Sequence, residues 1–258
     1  MKISCIVENT SINNDIEAEH GLSLFIETTD HKILFDMGQT ELFCRNADKL
    51  GIDIAAADIG ILSHGHYDHG GGLKKFFQLN KKAPVYLSKR AFEPYYNGEE
   101  KYIGLDISLK ENDRLIYTDQ VYRIAPGLSL YHHNDKEKQI DFGSFGLNIL
   151  RHGHMLPDDF LHEQYLLIET EGKRILISGC SHKGILNIVK WFEPDILVGG
   201  FHFSKLPLDQ ALKGYAEELD KYDTVYYTCH CTGTEQFKFM KRYMKNLNYL
   251  CAGQIIEL

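Results

Sequence analysis

Ser63-His64-Gly65-His66-Tyr67-Asp68-His69-Gly70-Gly71-Gly72 decides how the rest of this chain is read. It begins where the apolar run Asp58-Ile59-Gly60-Ile61-Leu62, a predicted strand, comes to an end. Past the glycines, Leu73, Phe76 and Phe77 are spaced for the buried side of a helix. Four side chains able to bind a metal fall between positions 64 and 69, on a loop that glycines hold open. Two ions suit the pattern better than one. His64 and His66 point the same way, whereas Asp68 and His69 come after the chain has turned and can address a neighbouring ion. A His-rich surface loop would need neither the glycine triplet nor an apolar strand delivering it.

Upstream, 2–8, 21–28 and 31–38 read as strands from their β-branched and aromatic content, and 40–50 fits a helix. Downstream, the last third repeats this alternation. Strands are expected at 173–180, 194–202 and 224–230, helices at 184–192, 208–222 and 234–246, and a closing strand within 249–258. Two βα-rich halves predict two facing sheets with helices outside, a four-layer α/β/β/α sandwich, within one domain spanning 1–258. The stretch 88–165 has no clean period and is expected to contain an insertion or cap. Its aromatics Phe92, Tyr95, Tyr96 and Tyr102 either pack that cap or stack on a flat heterocycle.

Composition narrows the chemistry. The formal charge of −8 argues against a broad basic surface for nucleic acid, whose binding depends on clustered Lys and Arg. The N-terminal apolar run is broken by Glu8, too early for a signal core or a membrane span, so a cytoplasmic protein with no membrane partner is expected. The six cysteines (Cys5, Cys44, Cys180, Cys229, Cys231, Cys251) are then expected to be reduced and to serve as core residues or ligands. The partner expected is a small molecule.

The motif at 64–69 resembles the His-x-His-x-Asp-His signature of the metallo-β-lactamase superfamily, and the resemblance extends over most of the chain. It implies two divalent cations, zinc foremost with manganese, iron or magnesium as alternatives. It assigns His64, His66, Asp68 and His69 as ligands, with Asp68 also the catalytic residue holding the nucleophile's proton. The superfamily's final histidine is matched by His230 in Thr228-Cys229-His230-Cys231-Thr232-Gly233. Strand alternation would turn Cys229 and Cys231 away from His230, as packing residues. Where relatives carry a bridging aspartate after Ser-Gly, this chain reads Ser178-Gly179-Cys180-Ser181-His182, so either the Cys180 thiolate replaces it or His182 reaches the ions. His202 ends another strand and would bind metal, bind a substrate anion, or be an ordinary polar residue. A third histidine for the first metal is sought among His152, His154 and His162. Asp36, before Met37-Gly38, is expected to orient the metal histidines.

Segments 178–187, 199–202 and 230–233 are similar to a narrower branch that includes the archaeal dihydropterin-methyl-ribofuranosylaminobenzene-phosphate synthase. The superfamily implies hydrolysis of a small anionic, phosphate-containing or ester substrate by activated water. The branch implies the alternative, a pterin-diphosphate-using transferase. An iron-dependent redox protein or a non-catalytic metal sensor are further alternatives.

Overall fold

The computed structural model describes all 258 residues. The chain first forms β1 (Lys2–Val7), β2 (Ser23–Glu27), β3 (Lys32–Phe35), α1 (Leu42–Lys49), β4 (Ile59–Ile61), α2 (Tyr67–Gly70) and α3 (Leu73–Leu79). There follow β5 (Val85–Ser88), β6 (Tyr95–Asn97), β7 (Lys101–Tyr102), β8 (Leu115–Thr118), β9 (Val121–Ala125), β10 (Leu128–Tyr131), β11 (Leu147–Arg151) and β12 (His154–Pro157). The last third holds β13 (Tyr165–Thr170), β14 (Lys173–Ile177), α4 (Ile185–Phe192), β15 (Ile196–Gly199) and α5 (Gln210–Leu219). It ends with β16 (Val225–Thr228), α6 (Thr234–Met240), β17 (Leu247–Tyr249) and β18 (Ile255–Glu257). No helix is long and apolar enough to cross a membrane.

The chain forms two compact units. One comprises Met1–Asp119, Gly146–His162 and Cys251–Leu258, the other Gln120–Phe145 and Glu163–Leu250.

In the first unit the main sheet runs β18-β1-β2-β3-β4-β5-β8. Pairing is antiparallel from β18 to β3 and parallel from β3 to β8. Nearly every residue of β1, β3, β4 and β5 is buried, which is why these strands read as continuous apolar runs rather than alternating ones. Leu42, Phe43 and Ala47 of α1 and Leu73, Phe76 and Phe77 of α3 join the same core as Ile6, Leu34 and Val85, so the buried side foreseen for the second helix is the observed one. A smaller sheet, β12-β11-β6-β7, encloses a second cluster of Tyr95, Ile103, Leu147, Ile149 and Phe160.

The second unit repeats the grammar in its own sheet, β17-β16-β15-β14-β13-β10-β9. Pairing is antiparallel from β9 to β14 and parallel from β14 to β17. Its core gathers Leu176, Leu197 and Tyr226 from the sheet with Ile185, Ile188, Val189 and Phe192 of α4 and Leu212, Ala216 and Leu219 of α5. α5 starts where the Asp209 carboxylate accepts the amides of Ala211 (2.9 Å) and Leu212 (3.1 Å), a cap that stabilises a helix by about 1 kcal/mol.

The closing strand expected within 249–258 is β18, in the first sheet; β17, in the second sheet, ends at Tyr249, and in the turn between them Gly253 takes φ +89°, a conformation that costs glycine little. Within the stretch 88–165, β8 joins the first main sheet, β9 and β10 the second, and β6, β7, β11 and β12 make up the small sheet. Within it Phe92 and Tyr95 are core residues, and Tyr96 stands against Tyr102 with ring centroids 5.5 Å apart.

Candidate metal centre

In the first unit the parallel strands β3 and β4 end side by side, and the loops that leave them meet. Asp36 leaves β3 with φ +57° and is completely buried. Its carboxylate accepts the Ser63 amide (2.7 Å), the Ser63 hydroxyl (2.7 Å) and the His69 Nδ1 proton (2.7 Å). With its one proton given to Asp36, the Ser63 Oγ accepts from His64 Nδ1 at 2.8 Å. These tautomers follow from the network. Both His64 and His69 are thereby fixed with the Nε2 lone pair, the form that ligates a metal. The three rings form one cluster, with His64 4.6 Å from His66 and 4.2 Å from His69 between centroids.

The glycines after the motif serve close backbone packing. A Cβ on Gly71 would come within 2.1 Å of the Gln39 carbonyl oxygen, and one on Gly72 within 2.3 Å of that of Met37. Glycine is what lets the ligand loop lie against the turn beyond Asp36.

Two partners in this unit are not foreseen from the sequence. Asp158, with a fully buried side chain, stands between two histidines, 3.1 Å from His162 Nε2 and 3.6 Å from His66 Nε2. Burial raises its carboxyl pKa, but His162 and His66 outweigh that and hold it well below the usual carboxylate range. For His66, burial lowers the imidazole pKa more than Asp158 raises it, so the ring favours the neutral form that a metal requires. His162 accepts the Gly65 amide on Nδ1 (2.9 Å) and gives its Nε2 proton to Asp158, which commits both ring nitrogens. It is therefore not the missing third histidine, and His152 and His154 lie out on the β11–β12 turn, where His154 is exposed. The second partner is His20, whose Nε2 lies 3.3 Å from Asp68 Oδ2 while its Nδ1 faces the Asn9 amide nitrogen at 3.3 Å. Neither Asp158 nor His20 is near the motif in sequence, and no spacing rule points to them.

In the second unit, parallel strands β14, β15 and β16 deliver Cys180 and His182, His202, and His230 just beyond their carboxyl ends, where open α/β sheets place their ligands. Cys180, His182 and His202 have ligand atoms within 4.8 Å of one another, and so do Cys180, His230 and Cys231. Cys231 is thus not turned away from His230. The strand ends at Thr228, and His230–Thr232 is a 3₁₀ turn begun by His230 at φ +50°, so alternation no longer applies. Cys229 is buried, as expected of a packing residue. Burial alone would raise the Cys231 thiol pKa, but hydrogen bonding with Cys180 and His202 and the adjacent His230 ring hold it well below the ordinary value. Behind His182, the buried Glu163 carboxylate accepts the amides of His182 (2.7 Å) and Lys183 (3.1 Å) and the Tyr165 hydroxyl (2.5 Å), which anchors the loop.

The donor chemistry fits divalent cations in each unit taken alone. Imidazoles held neutral or in the Nε2 tautomer, an ionised carboxylate and a low-pKa thiol are what zinc-class ions bind. In His202, moreover, Nδ1 is buried without a hydrogen-bond partner, a costly arrangement for a polar atom unless something binds it.

The "Metallo-beta-lactamase superfamily" family matches residues 16–230. An uncharacterized protein of Methanocaldococcus jannaschii, MJ0448, is 31% identical over 99% of this chain and 100% of its own length. The 7,8-dihydropterin-6-methyl-4-(β-D-ribofuranosyl)-aminobenzene-5'-phosphate synthase of the same organism is 29% identical over 100% of this chain and 96% of its own. The crystal structure of Tm1679, a metal-dependent hydrolase of the β-lactamase superfamily, matches with a TM-score of 0.86 at 30% identity, covering 100% of this chain and 99% of that one. With the signature histidines, their buried aspartate and the two βα-rich sheets accounted for, the chain belongs to the metallo-β-lactamase superfamily.

Proposed function

We propose that this protein is a hydrolase using two divalent cations, zinc foremost, on a small phosphate-containing or ester substrate. The observation that carries the reading is the Asp36–Ser63 network, because it fixes the protons of both His64 and His69 on Nδ1 before any ion arrives. His64, His66, Asp68, His69, Cys180 and His230 would hold the ions. Such ions lower the pKa of a bound water and polarise a substrate oxygen.

The chain's own residues do the rest. Asp68, its carboxylate 12% exposed and facing His20, is the group positioned to hold a proton of the attacking water. Asp36 and Asp158 keep the histidines oriented through turnover, and the Glu163 anchor keeps the Cys180–His182 loop in place. The positive charge of the bound ions would offset the overall charge of −8 and favour an anionic substrate.

Similarity over the full chain to the pterin-linked synthase supports a second reading, transfer with loss of diphosphate. The experiment is product analysis. Metal-depleted protein is reloaded with zinc or manganese and offered chromogenic phosphodiesters and esters, then a pterin methyl diphosphate with and without an aminobenzene ribotide. Metal-restored turnover of the simple esters supports the hydrolase. Diphosphate release only when the acceptor is present replaces it with the transferase, and no turnover under any of these conditions overturns both.

A further inference from the structure

Cys231 and His202 have no assigned work in the ligand set above, yet both stand among it. Cys231 and Cys180 have their sulfur atoms within 4.8 Å of each other and of a His230 ring nitrogen, and Cys231 Sγ lies 3.4 Å from the Cys180 carbonyl oxygen. His202 brings a ring nitrogen within 4.8 Å of Cys180 Sγ and interacts with the Cys231 thiol as well. Two thiols and the imidazoles of His182, His202 and His230 therefore meet at the ends of β14, β15 and β16, in two ligand triads that share Cys180.

The backbone is shaped for this gathering. His202 and His230 both take left-handed conformations, φ +58° and +50°, which cost a non-glycine residue free energy and are kept where the surroundings demand them. A Cβ on Gly200 would come within 2.4 Å of Cys231 Sγ, so the glycine before Phe201 leaves the room that the thiol occupies. A mere packing cysteine would not require a glycine and two strained histidines around it. All of these residues are in the second unit, so the arrangement is complete within that unit.

We propose that Cys180, Cys231, His202 and His230 supply a thiolate-rich ligand set for a zinc-class ion. The proposal rests on the reading that Cys180 and His230 bind metal, and it adds Cys231 and His202 and a preference for soft ions. Both thiols lose their protons on binding, and two thiolates with two neutral imidazoles balance the charge of one divalent cation. Hard, oxygen-loving ions such as magnesium are disfavoured by this donor set. Since the familiar bridging carboxylate is missing at Cys180, the thiolates would supply the negative charge it provides elsewhere.

Cobalt substitution tests it. The full-length protein is stripped of metal, loaded with Co²⁺, and the metal content and the near-ultraviolet thiolate-to-cobalt absorption are measured together in wild type, C180S, C231S and C229S. The expected result is a band in wild type that falls by about half in C180S and in C231S, as one of two thiolate ligands is lost, and is unchanged in C229S. A band at full strength in C231S overturns the proposal while Cys180 stays a ligand. Cobalt bound without any band overturns it and leaves the hydrolase reading standing on the histidines, whereas no bound metal overturns both. Zinc-edge X-ray absorption on wild type needs no variant. Sulfur scatterers at about 2.3 Å, in a number equal to two per thiolate site, support the assignment, and a single sulfur refutes it.

Discussion

Asp36 shows how much of a metal centre is set by a residue that need not touch the metal. Three hydrogen bonds to its buried carboxylate, each charge-assisted and worth about 1.5–3 kcal/mol, fix Ser63 and His69 directly and, through the Ser63 hydroxyl, His64. Asp36→Asn keeps the shape but turns one acceptor oxygen into a donor facing Ser63 and His69. Zinc affinity is expected to fall about 10–100-fold in this variant, measured by competition with a chromophoric chelator, with an unchanged circular dichroism spectrum. Unaltered affinity would mean that the histidines hold their tautomers without it. Asp68→Ala is a different lesion. It is expected to abolish turnover while the chain still folds, because Asp68 sits on the short α2 rather than in the main core. Full activity in that variant would contradict the two-ion mechanism.

At the scale of elements, pH acts through the segment after β10. His133 lies beside Phe192 (centroids 4.6 Å) and Trp191 (5.7 Å) of α4 and Tyr131 of β10 (5.4 Å). Its pKa is pushed down to about 4 from an ordinary 6.5, first by burial and then by Lys136 and Lys183, with Asp135 opposing. A histidine whose pKa is lower in the folded state stabilises that state fully above about 6.5, and the contribution drains away as pH falls towards 4. Urea unfolding is expected to show stability declining across this interval, and less steeply in His133→Asn, a residue that tolerates the local φ of +52°. Equal slopes in the two proteins would assign the decline elsewhere.

Elements also mark where the sequence is legible. Continuous apolar runs locate β3, β4, β14 and β15, and a helical period locates the buried face of α3, because burial leaves a pattern in the residues themselves. Strand alternation misplaces Cys231 because its orientation depends on where β16 stops, and a 3₁₀ turn leaves no periodic trace. Asp158 and His20 escape for another reason. Asp158 lies 92 positions from His66 and His20 lies 48 from Asp68, and only the tertiary fold pairs them. Analogy alone suggests a third histidine, whereas His162 spends both nitrogens on Gly65 and Asp158.

For the molecule as a whole, bound ions should count directly in stability. A ligand present at about 100 times its Kd and bound only by the folded chain adds about 2.7 kcal/mol. Removing metal with a chelator is therefore expected to lower the thermal midpoint measurably, and re-adding zinc to restore it. An identical midpoint with and without metal would mean that no ion is held in the native state.

β18 forms one edge of the first main sheet. It pairs with β1 through Lys2↔Glu257, Ile3↔Ile256 and Ser4↔Ile255, so one edge of the first sheet waits for residues made some 250 positions later. Every strand of the second sheet, β9 to β17, lies between them in sequence. During synthesis on the ribosome, the first sheet stays a strand short until these residues are made, so the half of the protein translated first completes its edge only late in translation.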